Sequence, residues 1–376
     1  MATTETSARP ISAYDRFQAI LKYLVEAKGS DLHVSAGSGF RCRVKGKLIE
    51  PPGNVPLGPA DTATIVAGIL LASRKCTKEN VAQVVAGITD HDCSYSMPEL
   101  GRFRVNVASQ RGTLALVLRH IPLTLPTVET LGLPKVMADI AMTERGLILL
   151  TGVTGSGKSS TLAAMINHVN HTKQHKIITI EDPIEFLYRD AKCSIMQREC
   201  GADTEGFSKA LRAALRQDPD VILVGEMRDK ETIDIALKAA ETGHLVFSTV
   251  HTTDAPKTIS RLVSVFEPAE QASLRGRLAE TLKAVISQRL LPRADGTGRV
   301  VTCEIMRQTK SIQDCIADPD KTDMMKDYIE KGKEMYGMQT FDQCLTELYL
   351  SKLIDMETAK GAATSPADFE RNLQFM

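Results

Sequence analysis

The sequence predicts an α/β protein, and two observations lead to this prediction. Residues 135–307 alternate apolar, strand-like runs with runs of helical periodicity, as parallel sheets flanked by helices do. Within that region, the glycine-rich stretch 152–159 lies between the apolar run 147–150 and a helix-like run that begins at Ser160. A strand, a glycine-rich loop and a helix in this order are typical of phosphate-binding folds.

The first domain is predicted over residues 13–121, after a disordered polar tail over residues 1–12. Helices are indicated where apolar residues recur every three or four positions, and strands where apolar and polar residues alternate. A Lys45-Gly46 pair between two strand-like runs predicts a hairpin turn. The predicted elements are helices over 14–25, 59–72 and 78–86, and strands over 30–35, 40–44, 47–49, 101–107 and 114–119.

A linker is predicted over residues 122–134, because three prolines there interrupt regular structure. The α/β core is predicted over residues 135–307, and a helical C-terminal region over residues 308–376. The predicted core strands are 146–151, 176–181, 220–225, 244–250, 284–291 and 299–306, with a helix over 207–215. The predicted C-terminal helices are 309–317, 321–334, 340–351 and 356–362.

Residues 152–159 match the phosphate-binding loop pattern G-x-x-x-x-G-K-[ST] in full. Glycines let such a loop turn its N–H groups toward phosphate oxygens, and the following helix N-terminus adds positive potential. Lys158 is expected to bridge the β- and γ-phosphates, and the Ser159 hydroxyl to ligate Mg²⁺. A plain glycine-rich turn is the alternative, but the flanking strand and helix favour a nucleoside triphosphate site. The predicted contacts are Gly152, Thr154, Gly155, Ser156, Gly157, Lys158, Ser159 and Ser160.

A carboxylate follows the buried strand predicted over residues 220–225. In a phosphate-binding-loop fold this strand lies beside the strand of the loop, so Glu226 is expected to face Mg²⁺ or the attacking water. Glu226 could instead cap the next helix. Asp229 suits that capping role better, because it directly precedes the helical pattern.

A second predicted strand, 176–181, leads into the acids Glu181, Asp182 and Glu185. Three carboxylates within five residues repel one another, which indicates a metal ion or an ordered water network. Glu181 is the predicted metal ligand among them. The alternative is a solvated turn around Pro183.

His251 follows the predicted strand 244–250, at the carboxyl end where ligands of parallel sheets gather. We therefore expect His251 to contact the γ-phosphate. His244 begins the same strand, and the strand rise of about 3.3 Å per residue separates the two histidines by roughly 20 Å. They cannot share one metal ion, and His244 is predicted to be structural.

The overall composition carries no sign of a nucleic-acid partner. The chain has 376 residues, with 46 basic and 46 acidic side chains, so its formal net charge is zero. A nucleic-acid-binding domain would be expected to show a basic surface. No apolar stretch is long enough to span a membrane, and none of the eight cysteines forms a C-x-x-C pair. These features predict a cytoplasmic protein with reduced thiols.

Four sequence blocks in this order resemble the secretion ATPases, and most closely the PilT/PilU-type retraction ATPases of type IV pili, which drive twitching motility. The first block contains the phosphate-binding loop, and the other three contain the acids and histidines described above. The similarity also reaches the first domain and the C-terminal region, covering about residues 13–352. The blocks are Walker A (151–160), the Asp box (178–186), Walker B (220–229) and the His box (240–253), with further similarity at 29–33, 101–106 and 337–342.

The resemblance implies a PAS-like N-terminal domain followed by a RecA-like P-loop NTPase domain with a helical C-terminal tail. It implies that ATP is hydrolysed between the two domains of each subunit of a homohexameric ring. Glu226 would polarise the attacking water with help from Glu185, and Arg104 and Arg119 would reach the phosphates. Without the resemblance, the two arginines would be surface residues of a half-exposed sheet.

The resemblance also implies a biological role, with alternatives. The chain would disassemble pili from the cytoplasmic face of the inner membrane, docked on the pilus platform protein there. Gln313 occupies a position where the family's C-terminal motif carries an arginine, and Ser160 replaces the usual threonine. The first change leaves open an accessory, PilU-like ATPase that acts with a paralogue.

Two further functions are possible from the sequence alone. A RecA-like nucleic-acid motor would share the fold, but the zero net charge argues against it. A regulatory subunit that binds ATP and hydrolyses it poorly is opposed by the intact Lys158, Glu226 and Glu185.

Overall fold

The computed structural model describes residues 12–73, 75–98, 100–121 and 124–374. These residues form two compact units. The first runs to Thr124 and includes Glu185–Leu187, and the second comprises Leu125–Ile184 and the chain from Tyr188 onward. The disordered tail predicted over residues 1–12 lies outside the described residues except for Ser12. That residue is ordered, because its side chain accepts a hydrogen bond from Asp15 N and caps the first helix.

The first unit is a six-stranded antiparallel sheet with helices packed on one face. The strand order is β3-β2-β1-β6-β5-β4. Phe17 and Leu21 of the first helix and Ile65 of the second are buried against Leu32 and Phe103 of the sheet. The elements are α1 (Ala13–Glu26), β1 (Gly29–Ser35), β2 (Gly39–Val44), β3 (Lys47–Ile49), α2 (Pro59–Ala72), α3 (Val81–Ala86), β4 (Asp90–Met97), β5 (Gly101–Gln110) and β6 (Thr113–Ile121).

The strands predicted for this unit are confirmed, but one strand was missed. In the β2–β3 hairpin, Lys45 and Gly46 both have positive φ (49° and 79°), as a two-residue hairpin turn requires. Strand β4 was not predicted, because its buried Cys93 and Tyr95 alternate with small and charged residues that are more common in loops. This strand pairs only with β5, at the edge of the sheet.

The second unit is built on a seven-stranded sheet with the order β13-β12-β7-β11-β10-β8-β9. All neighbours are parallel except β12 and β13. Helices cover both faces through two apolar clusters. Its elements are α4 (Val136–Ala141), β7 (Gly146–Thr151), α5 (Lys158–Thr172), β8 (Lys176–Glu181), β9 (Ser194–Glu199), α6 (Phe207–Ala214), β10 (Val221–Val224), α7 (Lys230–Glu241), β11 (Leu245–Val250), α8 (Ala255–Val263), α9 (Pro268–Thr281), β12 (Leu282–Pro292) and β13 (Arg299–Arg307).

The six predicted core strands are confirmed to within two residues at each end. Their apolar side chains are buried on both faces, so the sequence shows continuous apolar runs. Strand β9 was not predicted. It lies at the sheet edge, and most of its side chains are polar and partly exposed, so it lacks such a run.

The C-terminal region is helical, with one correction to the predicted elements. The single helix predicted over 321–334 is wrong, because a 3₁₀ helix precedes α11 and Gly332 separates α11 from α12. The region also returns to the sheet, where Gln339 and Ile305 of β13 form an antiparallel bridge. Its helices are α10 (Lys310–Ala317), the 3₁₀ helix Pro319–Met324, α11 (Met325–Lys331), α12 (Lys333–Tyr336), α13 (Phe341–Leu350), α14 (Met356–Ala362) and α15 (Pro366–Gln374), the last not predicted.

Among the described residues, no helix is both long and apolar enough to cross a membrane.

We predict that Phe103→Ala destabilises the first unit and that its neighbour Arg104→Ala does not. Phe103 is completely buried in β5, whereas the Arg104 side chain is exposed. Loss of a buried phenyl ring costs about 3–5 kcal/mol, and an exposed substitution typically changes stability by less than about 0.5 kcal/mol. Urea unfolding of both variants measures the difference. Equal destabilisation by the two substitutions would contradict the burial pattern of β5.

Candidate nucleotide-binding site

The glycine-rich loop lies at the carboxyl edge of the parallel sheet. Strand β7 runs between β11 and β12, parallel to both, and ends at Thr151. Helix α5 begins at Lys158, so the loop 152–157 connects the strand end to the helix N-terminus. Ligands of open α/β sheets bind at this edge.

The loop depends on glycine at three positions where φ is positive. These are Gly152 (143°), Gly155 (80°) and Gly157 (91°). A Cβ atom on Gly152 would lie 2.5 Å from both the Gln288 carbonyl oxygen and Ser156 Oγ. A Cβ atom on Gly157 would lie 2.8 Å from Gln288 Nε2. The loop therefore follows a path that other residues would not adopt without strain.

Lys158 is folded over the loop and is almost completely buried. Its Nζ donates hydrogen bonds to the carbonyl oxygens of Gly152 (2.7 Å) and Val153 (3.1 Å). The ammonium group thus lies inside the curve of the loop. Ser159 and Ser160 follow in the first turn of α5, where both are half-buried. This arrangement offers a positive charge, a helix N-terminus and two hydroxyls to a phosphate chain.

The remaining loop residues differ in exposure. Thr154 and Gly155 are exposed at the tip of the loop. The Ser156 hydroxyl is buried and has no hydrogen-bond partner among the described residues. Buried hydroxyls are normally hydrogen-bonded, so this donor fits a ligand oxygen. The loop residues thus fit a phosphate group.

Gln288 is a site residue that the sequence analysis missed. It lies in β12 and is 1% exposed. Its Nε2 donates to the Ser156 carbonyl (2.9 Å), and its Oε1 accepts from Thr161 Oγ1 of α5 (2.9 Å). The amide therefore links the loop to the helix that follows it. The available signal was a glutamine inside a strand-like apolar run, where a polar side chain must find buried partners.

The ends of strands β8, β10 and β11 are joined by hydrogen bonds close to the loop. Gly225 N donates to the Ile180 carbonyl (2.8 Å), and Thr249 Oγ1 donates to the Gly225 carbonyl (2.7 Å). These contacts hold the chain where it leaves β10, and Glu226 is the next residue. Asp229 accepts from Thr232 N and caps α7, so Glu226 does not serve as that cap.

Glu226 and His251 lie near each other at this edge. His251 Nε2 is 3.7 Å from Glu226 Oε2, and the same oxygen is 2.8 Å from the guanidinium of Arg228. Burial, followed by the charge of Lys158, lowers the pKa of His251, and Glu226 only partly opposes this shift. A neutral imidazole is therefore favoured near neutral pH, next to the carboxylate and the loop lysine.

His244 has no place in this cluster. It directly precedes β11, at the opposite end of the strand from His251. Its Nδ1 lies 2.9 Å from the Ala239 carbonyl oxygen and 3.3 Å from Thr242 Oγ1. Both contacts lie within the turn between α7 and β11, so His244 stabilises that turn, as the sequence predicted.

Glu181 is the last residue of β8, and its carboxylate is already hydrogen-bonded within the protein. Its Oε1 accepts from Thr179 Oγ1 (2.6 Å) and from Gln197 Nε2 (3.3 Å). No group of three or more His, Cys, Asp or Glu residues that could hold a metal ion occurs in the described part of the chain. A Mg²⁺ ion here would thus need nucleotide oxygens besides protein ligands such as the Ser159 hydroxyl. Glu181 remains a predicted ligand.

Arg104, Arg119 and Glu185 belong to the first unit. The two arginines are opposite each other on the neighbouring strands β5 and β6, and both are exposed. Arg119 Nε lies 3.0 Å from Asp31 Oδ1. Burial tends to raise the pKa of Asp31, but hydrogen bonds from Ser30 and Arg119 outweigh it and hold that pKa below its ordinary value. The action of all three predicted site residues on the phosphates stays a prediction.

Comparison with known proteins agrees with the fold and the loop. The model of the family described as type II/IV secretion system proteins matches residues 102–352. The chain is 45% identical over 352 residues to the type IV pilus retraction ATPase PilT of Pseudomonas aeruginosa, covering 93% of this chain and 98% of that protein. It is 38% identical over 354 residues to the type IV pilus ATPase PilU of the same organism, covering 94% and 90%.

A solved structure agrees with these relatives. The crystal structure of the pilus retraction motor PilT with bound ADP superimposes with a TM-score of 0.84 at 41% identity, covering 94% of this chain and 98% of that one. The chain therefore belongs to the type II/IV secretion system family, and within it to the PilT/PilU-type retraction ATPases. The predicted α/β fold with a RecA-like core is confirmed, whereas the PAS-like character of the first unit stays a prediction.

We predict that Lys158→Ala abolishes nucleotide hydrolysis without unfolding the chain. The substitution removes the ammonium inside the loop, and loss of such a charge at a transition state costs about 3 kcal/mol or more, which is roughly 100-fold in kcat/KM. Phosphate release measures the activity. The control is Lys173→Ala, at the other end of α5, where the lysine contacts Glu144 and the Met142 carbonyl. A Lys158→Ala variant as active as this control would contradict the assignment.

We also predict that Gln288→Ala weakens ADP binding by up to about 30-fold, because the two lost hydrogen bonds hold the loop and α5 together at about 1 kcal/mol each. Titration with a fluorescent ADP analogue measures the affinity. Gln308→Ala is the matched control, since Gln308 donates only to backbone carbonyls near the end of α9. An unchanged ADP affinity in Gln288→Ala would show that the amide does not shape the loop.

Proposed function

We propose that the chain is a hexameric ATPase motor that hydrolyses ATP to drive type IV pilus disassembly and retraction. One observation carries this proposal. The phosphate-binding loop, with Lys158 inside its curve, lies on the same sheet edge as the Glu226–His251 pair. The two relatives named above match more than nine-tenths of this chain, which supports the proposal for the chain as a whole.

The loop residues account for substrate binding in this proposal. N–H groups of the loop and of the first turn of α5 hold the β- and γ-phosphates, and Lys158 neutralises their charge. The buried Ser156 hydroxyl donates to a phosphate oxygen. Mg²⁺, when bound, withdraws electron density from the γ-phosphate, with the Ser159 hydroxyl and the region of Glu181 as its protein contacts.

Glu226 performs the chemical role in this proposal. Its carboxylate orients the attacking water and accepts its proton as the water oxygen bonds to the γ-phosphorus. The bond from that phosphorus to the β–γ bridging oxygen breaks in the same step, and ADP and inorganic phosphate are released. His251, with its lowered pKa, is held neutral beside Glu226 and can donate one hydrogen bond to the γ-phosphate. Glu185 assists from the first unit. Arg104 and Arg119 neutralise phosphate charge when that unit closes on the nucleotide, and their exposed guanidinium groups are suited to this role.

The proposed partners follow from the family resemblance. Closure of one subunit can move the next in a closed ring with head-to-tail contacts, and the resemblance to the retraction ATPases implies six subunits in that ring. We place this ring in the cytoplasm, docked on the pilus platform protein at the inner membrane. A nucleic acid is not among the proposed partners, because the chain has no net positive charge.

An accessory, PilU-like motor that acts with a paralogue is the second candidate. Gln313 favours it, since this half-buried residue of α10 replaces the arginine expected there. The identity of 45% with PilT against 38% with PilU favours the primary motor.

We predict that Glu226→Gln binds ATP but hydrolyses it at least about 100-fold more slowly, because the amide keeps the shape and cannot accept the proton. Phosphate release and nucleotide titration measure the two steps separately. Glu231→Gln provides a control, as this exposed acid of α7 pairs with Arg212. If nucleotide affinity is lost together with turnover, Glu226 acts mainly through Mg²⁺ and not on the water.

We predict that Arg104→Ala keeps the ring and binds ATP, yet loses most ATP hydrolysis and all pilus retraction, since its phosphate contact exists only in the closed state. Light scattering should report about six subunits, as the resemblance to the retraction ATPases implies. Gene deletion followed by complementation tests twitching. Arg41→Ala is the control, because Arg41 lies on the same sheet and pairs with Glu50. A fully active monomer that is insensitive to Arg104→Ala would exclude closure as the power step.

A further inference from the structure

Glu304 is a buried carboxylate that the mechanism above does not use. It lies in β13 and is 4% exposed. Its Oε1 accepts a hydrogen bond from the backbone N–H of Ala255 (2.8 Å) and one from Ser287 Oγ (3.2 Å). A buried carboxylate is costly unless such donors compensate it. Two hydrogen bonds to one buried oxygen therefore indicate a defined role for this side chain.

The contact between Glu304 and Ser287 leads through β12 to the strand that carries the phosphate-binding loop. Ser287 of β12 donates to Glu304, and its oxygen accepts from Thr151 Oγ1 (3.0 Å). Thr151 is the last residue of β7 and directly precedes Gly152. Thr151 and Ser287 are both completely buried. A chain of hydrogen bonds thus connects the start of the loop to Glu304.

The contact between Glu304 and the Ala255 N–H leads to the segment that contains His251. Ala255 is the first residue of α8, so the Glu304 carboxylate satisfies one of the helix's free N–H groups and faces its positive end. The hydroxyl of Thr258, one turn into α8, donates to the Asp254 carbonyl and lies 2.7 Å from the Thr252 hydroxyl. Thr252 and Asp254, which follow His251 closely in the chain, are therefore held against the first turn of α8.

The charges around Glu304 are consistent with an anchoring role. Burial raises its pKa, and the neighbouring Asp254 adds to the shift, while the Ala255 N–H, Ser287 and Lys326 oppose it. The pKa of Asp254 is lowered, because the Lys257 N–H and side chain outweigh the effect of its burial. The two acids near the start of α8 thus differ in environment. Asp254 caps the helix, whereas Glu304 reaches it from β13 and is enclosed between strand and helix.

We propose that Glu304 is a positioning residue for ATP hydrolysis. Through Ser287 and Thr151 it joins the loop strand to the first turn of α8, and it thereby holds His251 beside Glu226 at a fixed distance from the phosphates. The inference rests on the ATPase activity proposed above. What is new is a role for the buried hydrogen bonds that link the glycine-rich loop to the segment with His251. Breaking the link lowers kcat and leaves nucleotide binding nearly unchanged.

Three variants test the link. Ser287→Ala removes one hydroxyl, Glu304→Gln keeps an oxygen that can accept from Ala255 N–H, and Glu304→Ala removes both contacts. Val285→Ala is the control for stability, because Val285 is a completely buried residue of β12 without a side-chain hydrogen bond. For each chain we measure kcat, KM, the affinity for a fluorescent ADP analogue and the midpoint of thermal unfolding.

The expected result separates catalysis from binding and stability. A hydrogen-bond donor to transition-state charge is worth about 100-fold in kcat. Partial misplacement of His251, the proposed donor to the γ-phosphate, should therefore lower kcat about tenfold in Glu304→Ala and about threefold in Ser287→Ala. Glu304→Gln should restore most of that loss. ADP affinity should change less than about twofold, and Val285→Ala should keep its kcat at a comparable loss of thermal stability. If Glu304→Ala does not fold, Ser287→Ala and Glu304→Gln still decide the outcome.

A double variant tests whether the link acts through His251. In a His251→Ala background, Ser287→Ala should lower kcat no further, because residues that act on one group are not additive. If the kcat losses of His251→Ala and Ser287→Ala add in the double variant, the inference is overturned. It is also overturned if Glu304→Ala and Ser287→Ala have the same kcat as Val285→Ala, or if they lose ADP affinity as strongly as they lose kcat. An inactive wild-type chain would overturn the proposed ATPase function and this inference with it, whereas an active wild type with unaffected variants overturns the inference alone.

Discussion

The close approach between the glycine-rich loop and strand β12 is the constraint on which the site depends. At Gly152 and Gly157 the backbone comes so near to Gln288 that no Cβ atom fits. The same glutamine binds the Ser156 carbonyl and the Thr161 hydroxyl. The packing of the loop against the sheet therefore sets the curvature of the loop.

The acidic and basic groups of the site are held by the same sheet edge. The ends of β8, β10 and β11 are connected through Gly225 and Thr249, and this places Glu226 beside His251. Parallel strands bring residues from distant parts of the sequence to one edge, since each strand ends on the same side. The sheet thus fixes the end of β10 and the Glu226–His251 pair at the same edge as the glycine-rich loop.

Most of the fold and the phosphate contacts could be predicted because their signals are local. Buried parallel strands appear as continuous apolar runs, and the loop appears as a fixed spacing of glycine, lysine and serine. The edge strands β4 and β9 were missed, since each has a neighbour on one side only and carries polar residues. Gln288 and Glu304 were missed for a different reason. Their roles come from partners more than 45 residues away, such as Ser156 and Ala255, which no local pattern reveals.

The bridge between Gln339 and Ile305 has a consequence for solubility. Strand β13 is the last strand of its sheet, and an open strand edge is a template for pairing with another chain. Here the backbone of Gln339 exchanges hydrogen bonds with Ile305, and the Gln339 amide donates to the Cys303 carbonyl. The C-terminal region thus shields this edge against β-aggregation. In the homohexamer proposed above this protection would matter, because non-specific strand pairing would compete with the contacts between subunits.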